Sequence, residues 1–554
     1  MPNVVAFLAL LALASAVAAS CPSARNAMWV PAVSDEGRGL MLLVESEVRE
    51  GRGLVYMATT PLAGLLTQQS ENTAVKVAFR EAGRNRSACD VLFRIEDTGV
   101  ARSVDGPSAG AAMAVLTLAG LLNRSVQDDI TITGRITEDG RIASVGGLLA
   151  KAAAAEAKGM RALIVPEAMD SEAKVELLAF SLRKGLAIVE VGDVREAAEI
   201  AFAPPKKIET RLELGVRQTP SLRPLPEPAG GAEKFAEVVR EMVRELEAEA
   251  GNAKVAGEHF LGEAEFARSM AASNYYYTAG NAAFLAGIHL ALLQQSASVD
   301  SQGLARRLAE VRNCSQKIAW RKPTAENFEL LAAAQLRAGW SERKAREAGE
   351  ALREDNEASL LRALKDTLYA EGWCRTAQRL NERASESGRA LHTEGWKEMA
   401  EMAIAEAEAA LGQAEGFEEE RWHLESAREL HARGEYAAAI IDALYAKTSA
   451  LATEEAKLNA GKLREVAGRA LLHNASSLLA GIYSAHAYYY YQLGDERSAL
   501  SALWLARYAR ALEEAAARMK GTVPQEEVLG KALALGAAIF LLVLVLAWLV
   551  RKRV

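Results

Sequence analysis

Ser108 has the setting most suggestive of chemistry in this 554-residue sequence. It lies in "SVDGPSAGAAMAVLTLAG" (103–120), where a turn containing Gly and Pro leads into a small, apolar, helix-like run. A serine at a helix start can simply cap the helix by accepting a backbone hydrogen bond. The same hydroxyl becomes a nucleophile only when a base takes its proton. A reactive Ser108 therefore needs a base from another part of the sequence.

Histidine, the usual base, is absent from the region around Ser108. All seven histidines lie at His259 or later, which excludes a Ser-His-Asp triad within the N-terminal region. No histidine pair has the HExxH spacing of zinc peptidases, and no GxxxxGK motif followed by Ser or Thr occurs. We therefore predict no metal site, no nucleotide site and no cofactor.

Lys151 is the candidate replacement for histidine. Burial and a nearby helix N-terminus both disfavour an ammonium, so they can bring a lysine into use as a base. In "ASVGGLLAKAAAAEAKG" (143–159), Gly146 and Gly147 open a helix and Lys151 falls in its first turns among alanines. The alternative is an ordinary surface lysine of an alanine-rich helix, which is our interpretation of Lys158 near the helix end.

Residues 30–203 alternate between strand and helix patterns. Five short segments predict strands: LMLLVES, GLVYMATT, CDVLFRIE, DITITGRI and ALIVPEA. Four longer ones predict helices: LLTQQSENTAVKVAFREAG, SAGAAMAVLTLAGLL, GGLLAKAAAAEAKG and EAKVELLAFSLRKG. This alternation predicts an α/β domain.

The composition changes after residue 203. Six of the fourteen prolines lie between Pro204 and Pro228, which predicts an extended, Pro-rich linker over 204–231. From 232 to 522 Ala, Glu, Leu and Arg dominate, so we predict an all-α domain. Two of its segments, LHARGEYAAAIIDALYA and YYYYQLGDERSALSALWLARYA, resemble tetratricopeptide-type (TPR-like) helix pairs. They lack that family's regular period, which favours a degenerate helical repeat or a bundle.

Three motifs in order make residues 30–203 resemble the proteolytic domain of Lon proteases. They are DGPSAG, TITGRITEDGRIASVGGLLAK and GMRALIVPEA. That family carries its nucleophilic serine in a GPSAG-like motif and a lysine 43 residues later, a spacing that Ser108 and Lys151 reproduce. The resemblance implies a Lon-type α/β fold and a Ser-Lys dyad.

The resemblance also implies a role for each motif residue. Ser108 would attack the scissile carbonyl, and neutral Lys151 would take its proton and pass it to the leaving amine. Thr133 matches a threonine whose hydroxyl holds the lysine amine in line. Asp105 matches an acidic residue that shapes the turn or tunes the lysine, with a plain Asx-turn as the alternative.

Two glycines near the serine also have implied roles, and the sequence departs from the family elsewhere. Gly106 and Gly110 would let the backbone approach the substrate, with N–H groups around Ser108 stabilising the oxyanion.

Arg135 stands where many relatives have Glu. Lon proteases usually join this domain to an ATPase, and none is recognisable here, so the implied cleavage of unfolded or flexible polypeptides is ATP-independent. Ring-shaped homo-oligomers are an expectation from the family alone.

Both ends of the chain carry apolar segments. Residues 1–20 resemble a secretory signal peptide. Residues 532–550 contain no charge and are long enough to span a bilayer, and the basic tail 551–554 predicts a cytoplasmic C-terminus. We therefore expect a single-pass cell-membrane protein with most of its chain outside the cytoplasm. A Cys314–Cys374 disulfide is permitted there and is left open.

The leading hypothesis is a membrane-anchored serine endopeptidase acting on polypeptides outside the cytoplasm. One alternative is a latent or non-catalytic scaffold whose helical domain binds proteins or peptides. Another is a maturation peptidase that cuts itself or one partner. A net charge of −7 and a pI near 5.8 argue against nucleic acid as the main partner.

Overall fold

The structure is a computed structural model, and it describes residues 21–34, 36–60, 62–96, 103–104, 106–203, 207–226, 231–412, 416–472 and 474–521. Asp105, the predicted signal peptide (1–20), the predicted transmembrane helix (532–550) and the basic tail (551–554) lie outside these residues. In the part of the chain that is described, no helix is both long and apolar enough to cross a bilayer.

The described residues divide into two compact units. The first comprises those up to 215 together with 289–305 and 348–365, and the second those of 216–288, 306–347 and 366 onward. Arg183 belongs to the first unit and ties segment 348–365 into it, because its Nε donates to Glu357 Oε2 at 2.5 Å. A mixed α/β region is thus followed by a helical region, as the composition predicts.

The first unit holds most of the β-structure of the described chain. Its strands are β1 (Ala24–Val33), β2 (Gly39–Glu50), β3 (Val55–Thr60), β4 (Leu62–Ala63), β5 (Cys89–Glu96), β6 (Ser103–Val104), β7 (Ile130–Ile132), β8 (Arg135–Ile136), β9 (Ile142–Ala143), β10 (Ala162–Pro166) and β11 (Ala187–Val191). Its main helices are α1 (Leu65–Ala82), α2 (Gly110–Leu122), α3 (Leu148–Ala157), α4 (Ser171–Lys184) and α5 (Val194–Phe202). The five strands and four helices predicted from the sequence are therefore confirmed, with β7 and β8 dividing one predicted strand.

Two sheets organise this unit. The larger has the order β1-β2-β5-β3, with β1–β2 and β2–β5 antiparallel and β3–β5 parallel. The smaller has the order β11-β10-β7 and is parallel throughout. Arg211, from the Pro-rich segment, forms a parallel bridge to Val189 at the free edge of β11. The start of the predicted linker is therefore held against the α/β sheet.

Helix α2 is the central element of the core. It packs against β1, β2 and α1, and every residue from Gly110 to Leu121 is buried. A helix that is apolar on all sides must be surrounded by protein, because no face tolerates water. Since Ser108 lies immediately before α2, its backbone is attached to the most buried helix of the unit.

The second unit is built from helices. The longer helices that lie wholly or partly in it are α6 (Ala232–Gly251), α7 (Gly257–Ala272), α8 (Tyr276–Ser296), α9 (Ser301–Val311), α11 (Phe328–Ala351), α12 (Glu357–Arg383), α13 (Trp396–Leu411), α14 (Glu418–Ala432), α15 (Tyr436–Leu458), α16 (Leu463–Ala470), α17 (Leu478–Leu493) and α18 (Glu496–Met519), with a four-residue helix α10 (Cys314–Lys317) between α9 and α11. Neighbours in sequence pack side by side, as in the pairs α14–α15 and α17–α18.

Two disulfides join distant parts of the chain. Cys314 and Cys374 are bonded in the second unit, with their Cα atoms 5.8 Å apart, so the pairing left open by the sequence is formed in the structure. Cys21 and Cys89 are bonded in the first unit and join the chain just before β1 to the start of β5. All four cysteines of the sequence are therefore oxidised.

Candidate active site

Ser108 lies in a single 3₁₀ turn, Pro107–Ala109, directly before α2. Helix α1 fixes this turn through three hydrogen bonds to its backbone. Ser70 Oγ donates to the Pro107 carbonyl at 3.2 Å, Thr67 Oγ1 donates to the Gly106 carbonyl at 3.3 Å, and the Gly106 N–H donates back to Thr67 Oγ1 at 3.2 Å. The serine therefore sits on a backbone that is tied to a second helix.

Glycine is required at Gly106 and at Gly110 for two different structural reasons. Gly106 has φ +146°, a conformation that side chains with a Cβ rarely adopt, so the turn before Ser108 requires glycine. A Cβ on Gly110 would lie 2.3 Å from Ser70 Oγ and 2.9 Å from Ile136 Cγ2. Gly110 thus lets α2 approach α1 and β8, which is a packing reason beside the predicted role in substrate approach.

Thr133 follows the carboxyl end of β7 and lies next to the Ser108 turn. Its N–H donates to the Ile164 carbonyl at 3.0 Å, which extends the β7–β10 pairing by one residue. Gly134 then donates its N–H to the Ser108 carbonyl at 2.9 Å and accepts the N–H of Ala111 at 3.1 Å. The structure therefore brings together Ser108 and Thr133, which are far apart in sequence.

The Thr133 hydroxyl is buried without a partner. The residue has no exposed surface, and Oγ1 forms no hydrogen bond to any part of the chain that the structure describes. Leaving a buried hydroxyl unsatisfied costs about 1–3 kcal/mol. Such a group is an available partner for an amine or a substrate.

Lys151 occupies the first turns of α3. Gly147 begins the helix in the left-handed conformation at φ +68°, and the Lys151 N–H donates to the Gly147 carbonyl at 3.0 Å. The side chain shares the buried face of the helix with Leu148, Ala152 and Ala155 and is only 4% exposed. The structure thus excludes the surface-lysine alternative for this position.

Burial changes the acid–base properties of Lys151. Desolvation lowers the pKa of its ammonium from 10.5 to about 8, because an apolar surrounding disfavours the charged form. Burial is the sole cause of this shift, and no carboxylate among the described residues forms an ion pair with Lys151. A large fraction of this amine is therefore neutral just above physiological pH, as a general base requires.

Strand β1 relates the lysine to the serine. It contacts both the 3₁₀ turn that carries Ser108 and helix α3 that carries Lys151. At its end, Val33 Cγ2 lies 2.7 Å from the Cβ position that Gly147 leaves empty. No hydrogen bond joins Ser108 Oγ to Lys151 Nζ in the structure. Catalytic hydrogen bonds often tighten only when substrate is bound, so the dyad stays a prediction.

The remaining predicted site residues have simpler positions. Asp105 lies outside the described residues, so its role as turn-former or lysine-tuner stays a prediction. Arg135 is exposed at the start of β8. Lys158 is exposed as predicted, and its ammonium lies 3.5 Å from the centre of the Trp29 ring, a cation–π contact that the sequence pattern did not indicate.

Glu71 is a buried ionisable group that sequence reasoning missed. It lies on α1 one residue after Ser70, is 5% exposed, and its Oε1 has no partner among the described residues. Burial raises the pKa of its carboxyl from 4.5 to about 7. The only available signal was an acidic residue on the face of α1 that also carries Ala74, Val75 and Ala78.

Comparison with known proteins finds a family match for residues 32–204. Residues 32–204 match the family described as the Lon protease (S16) C-terminal proteolytic domain. A Lon protease of Desulfatibacillum aliphaticivorans is 30% identical over 173 residues, which is 30% of this chain and 20% of that protein. Lon protease 1 of Bacillus subtilis (strain 168) is 37% identical over 118 residues, which is 21% of this chain and 15% of that protein.

A plant relative shows the same pattern. Lon protease homolog 4, chloroplastic/mitochondrial, of Arabidopsis thaliana is 30% identical over 169 residues, or 30% of this chain and 18% of that protein. The chain thus spans about a fifth or less of the length of these relatives, and the family match covers residues 32–204. Residues 32–204 therefore form a proteolytic domain of the Lon (S16) type, a serine peptidase domain.

Proposed function

We propose that this protein is a serine endopeptidase in which Ser108 is the nucleophile and Lys151 the general base. The observation that carries the proposal is a lysine with no ion pair among the described residues, buried in a Lon-type proteolytic domain, with its pKa lowered to about 8. A buried ammonium without a counter-charge is costly and is rarely kept for stability alone.

The proposed reaction uses the chain's own groups. Neutral Lys151 accepts the Ser108 hydroxyl proton as Oγ attacks the substrate carbonyl and forms a tetrahedral intermediate. The lysine then gives that proton to the departing amine, so the C–N bond breaks and an acyl-enzyme remains. A water molecule next attacks the acyl-enzyme while Lys151 takes its proton, and the return of that proton to Ser108 Oγ releases the acid product. Thr133 Oγ1, buried and unpartnered in the described chain, would accept a hydrogen bond from the lysine amine and orient it.

We further propose polypeptide substrates in an unfolded or flexible state and cleavage that needs no ATP. Support comes from the match of residues 32–204 to a proteolytic domain and from a sequence that contains no phosphate-binding P-loop motif. The test is degradation of fluorescent casein by the full chain without nucleotide. We expect Ser108→Ala and Lys151→Ala to lower the rate by at least about 10³-fold. Ser125→Ala, which changes an exposed serine, is the matched control. Full activity of Ser108→Ala or of Lys151→Ala would exclude the Ser-Lys dyad.

The proposed location is the outer face of a membrane, with a C-terminal anchor. Support comes from the charge-free segment 532–550, its basic tail 551–554, and two disulfides, which persist in oxidising compartments. Extraction of membranes at alkaline pH is the test. The full chain should stay with the membrane, whereas a chain ending at residue 521 should be released; release of both would refute the anchor.

A further inference from the structure

The second unit contains a preformed cavity that the proposed peptidase reaction does not use. Its volume is about 130 Å³, and residues from α6, α8, α11 and α12 line it. A dry cavity of about 150 Å³ lined by apolar side chains binds a benzene ring. The cavity is therefore the size of one large apolar side chain and too small for a long acyl chain.

Aromatic rings form much of the wall. Trp373 stacks on Phe284 with a centroid distance of 5.9 Å and an angle of 10°, and it lies 5.3 Å from Trp340 and 5.4 Å from Tyr369. Trp340 is held in place because its Nε1 donates to Asp442 Oδ2 at 3.1 Å. The disulfide at Cys374, the residue after Trp373, also fixes this part of α12. The wall is thus rigid before any ligand arrives.

One cation lines this apolar cavity. Arg337 is only 9% exposed, and its guanidinium lies 5.2 Å from the centre of the Trp340 ring. Its Nη1 donates to the Ala333 carbonyl at 3.3 Å, which is the hydrogen bond the structure gives it. No carboxylate of the described chain forms an ion pair with it, and the carboxylate of Asp442, which accepts the Trp340 Nε1–H, is also hydrogen-bonded to His423 Nδ1.

The combination specifies the chemistry of a ligand. A guanidinium has five N–H donors in a fork that fits a carboxylate, and a buried cation gains most from an anion. The aromatic wall needs an apolar group of the size of Leu or Phe. The last residue of a polypeptide offers both, because its side chain and its terminal carboxylate are attached to the same carbon atom.

We propose that this cavity binds the C-terminal residue of polypeptides that end in a large apolar side chain. The carboxylate pairs with Arg337, and the side chain occupies the cavity that Phe284, Trp340 and Trp373 help to line. The inference goes beyond the proposed peptidase activity, and binding can be measured without catalysis, so either can fail while the other holds.

The test is fluorescence anisotropy with a labelled peptide, Gly-Ser-Gly-Ser-Phe, and the full chain carrying Ser108→Ala. The same peptide with a C-terminal amide, and one ending in Ser, are the matched ligands. The amide peptide cannot form the charge-assisted pair, so its affinity should be lower by about 10-fold or more. The peptide that ends in Ser lacks the apolar ring, and its affinity should be lower by a similar factor.

Variants test the residues. Arg337→Met should weaken the free-acid peptide by about 10-fold and leave the amide unchanged. Thr376→Phe should fill the cavity and abolish binding of both, while Arg375→Met, at an exposed arginine of the same helix, should change nothing. Equal affinity for acid and amide would overturn the proposal in favour of internal apolar segments. That comparison uses the unaltered cavity, so it decides even where Arg337→Met fails to fold.

Discussion

Replacing Lys151 by Met should have two effects of opposite sign. Activity should be lost, because no base remains for Ser108. Stability at neutral pH should rise, because methionine fills a similar volume and carries no charge to desolvate. A lysine kept for structure would give the reverse result for stability, so this variant separates a functional from a structural amine.

The magnitude follows from the burial of the amine. Folding lowers the pKa of Lys151 from 10.5 to about 8, and each pKa unit corresponds to about 1.4 kcal/mol. The charged lysine therefore destabilises the folded chain by up to about 3 kcal/mol at pH values below 8. Between pH 8 and 10.5 the folded state has released this proton and the unfolded state still binds it, so the stability of the unaltered chain rises with pH in that window. Above it the penalty is gone.

The assay is guanidinium-induced unfolding of the full chain and the Lys151→Met variant at pH 7, 9 and 10.5. We expect the variant to be more stable by up to about 3 kcal/mol at pH 7 and the difference to shrink toward pH 10.5. Lys158→Met is the matched control on the same helix. It should cost up to about 1 kcal/mol through the lost contact with Trp29.

The opposite change in stability would show that Lys151 is a structural cation. If Lys151→Met lowers the free energy of unfolding at pH 7 by several kcal/mol, the ammonium is charged and paired in the folded protein, and the neutral-base argument fails. A difference that does not vary with pH would lead to the same conclusion.

Three further predictions concern other groups. Thr133→Val should leave stability unchanged or raise it by about 1 kcal/mol, since a hydroxyl without a partner among the described residues is removed. Casein cleavage by this variant should fall by about 10-fold or more. Unchanged cleavage would exclude a role for Thr133 in holding the lysine. Glu71 should give the free energy of unfolding the opposite pH dependence to that of Lys151, because burial raises the pKa of its carboxyl from 4.5 to about 7. Stability should therefore fall as the pH rises through that window. In urea unfolding measured from pH 4.5 to 8, Glu71→Gln should abolish this slope. The double variant Cys314→Ala/Cys374→Ala should lower the free energy of unfolding by about 4 kcal/mol, because the disulfide closes a loop over a 60-residue separation and so restricts the unfolded chain. A loss below about 1 kcal/mol would show that packing alone fixes these helices.

The sequence predicts the elements of the first unit well because their patterns are local. Helix α2 is apolar on every side and α1 has buried and exposed faces, so both are visible in the order of residues. Strand β1 was not predicted, because Pro31 and a polar start break the strand pattern and its stability comes from pairing with β2. The incorporation of segments 289–305 and 348–365 into the first unit depends on contacts with distant residues, which no local pattern encodes.

The candidate site was predicted in part. Motif spacing indicated Ser108, Thr133 and Lys151, and the structure adds the burial of the lysine and the attachment of Thr133 to the serine turn through Gly134. Glu71 and Arg337 could not be found from sequence, since each lies in a helix where charged residues are frequent. Only tertiary packing shows that these two are buried.

The most direct test of the central claim is the rate at which a serine-directed acylating probe modifies Ser108, followed by mass spectrometry of the digested chain at pH 7, 8 and 9. With a lysine pKa of about 8, the neutral fraction rises from about 9% at pH 7 to about 91% at pH 9. We expect a single adduct on the peptide that contains Ser108 and a rate that increases about tenfold over this range. In Lys151→Met the rate should be slow and should not vary with pH. An adduct on another residue, or a rate on Ser108 that does not change with pH or with Lys151, would contradict the Ser-Lys dyad.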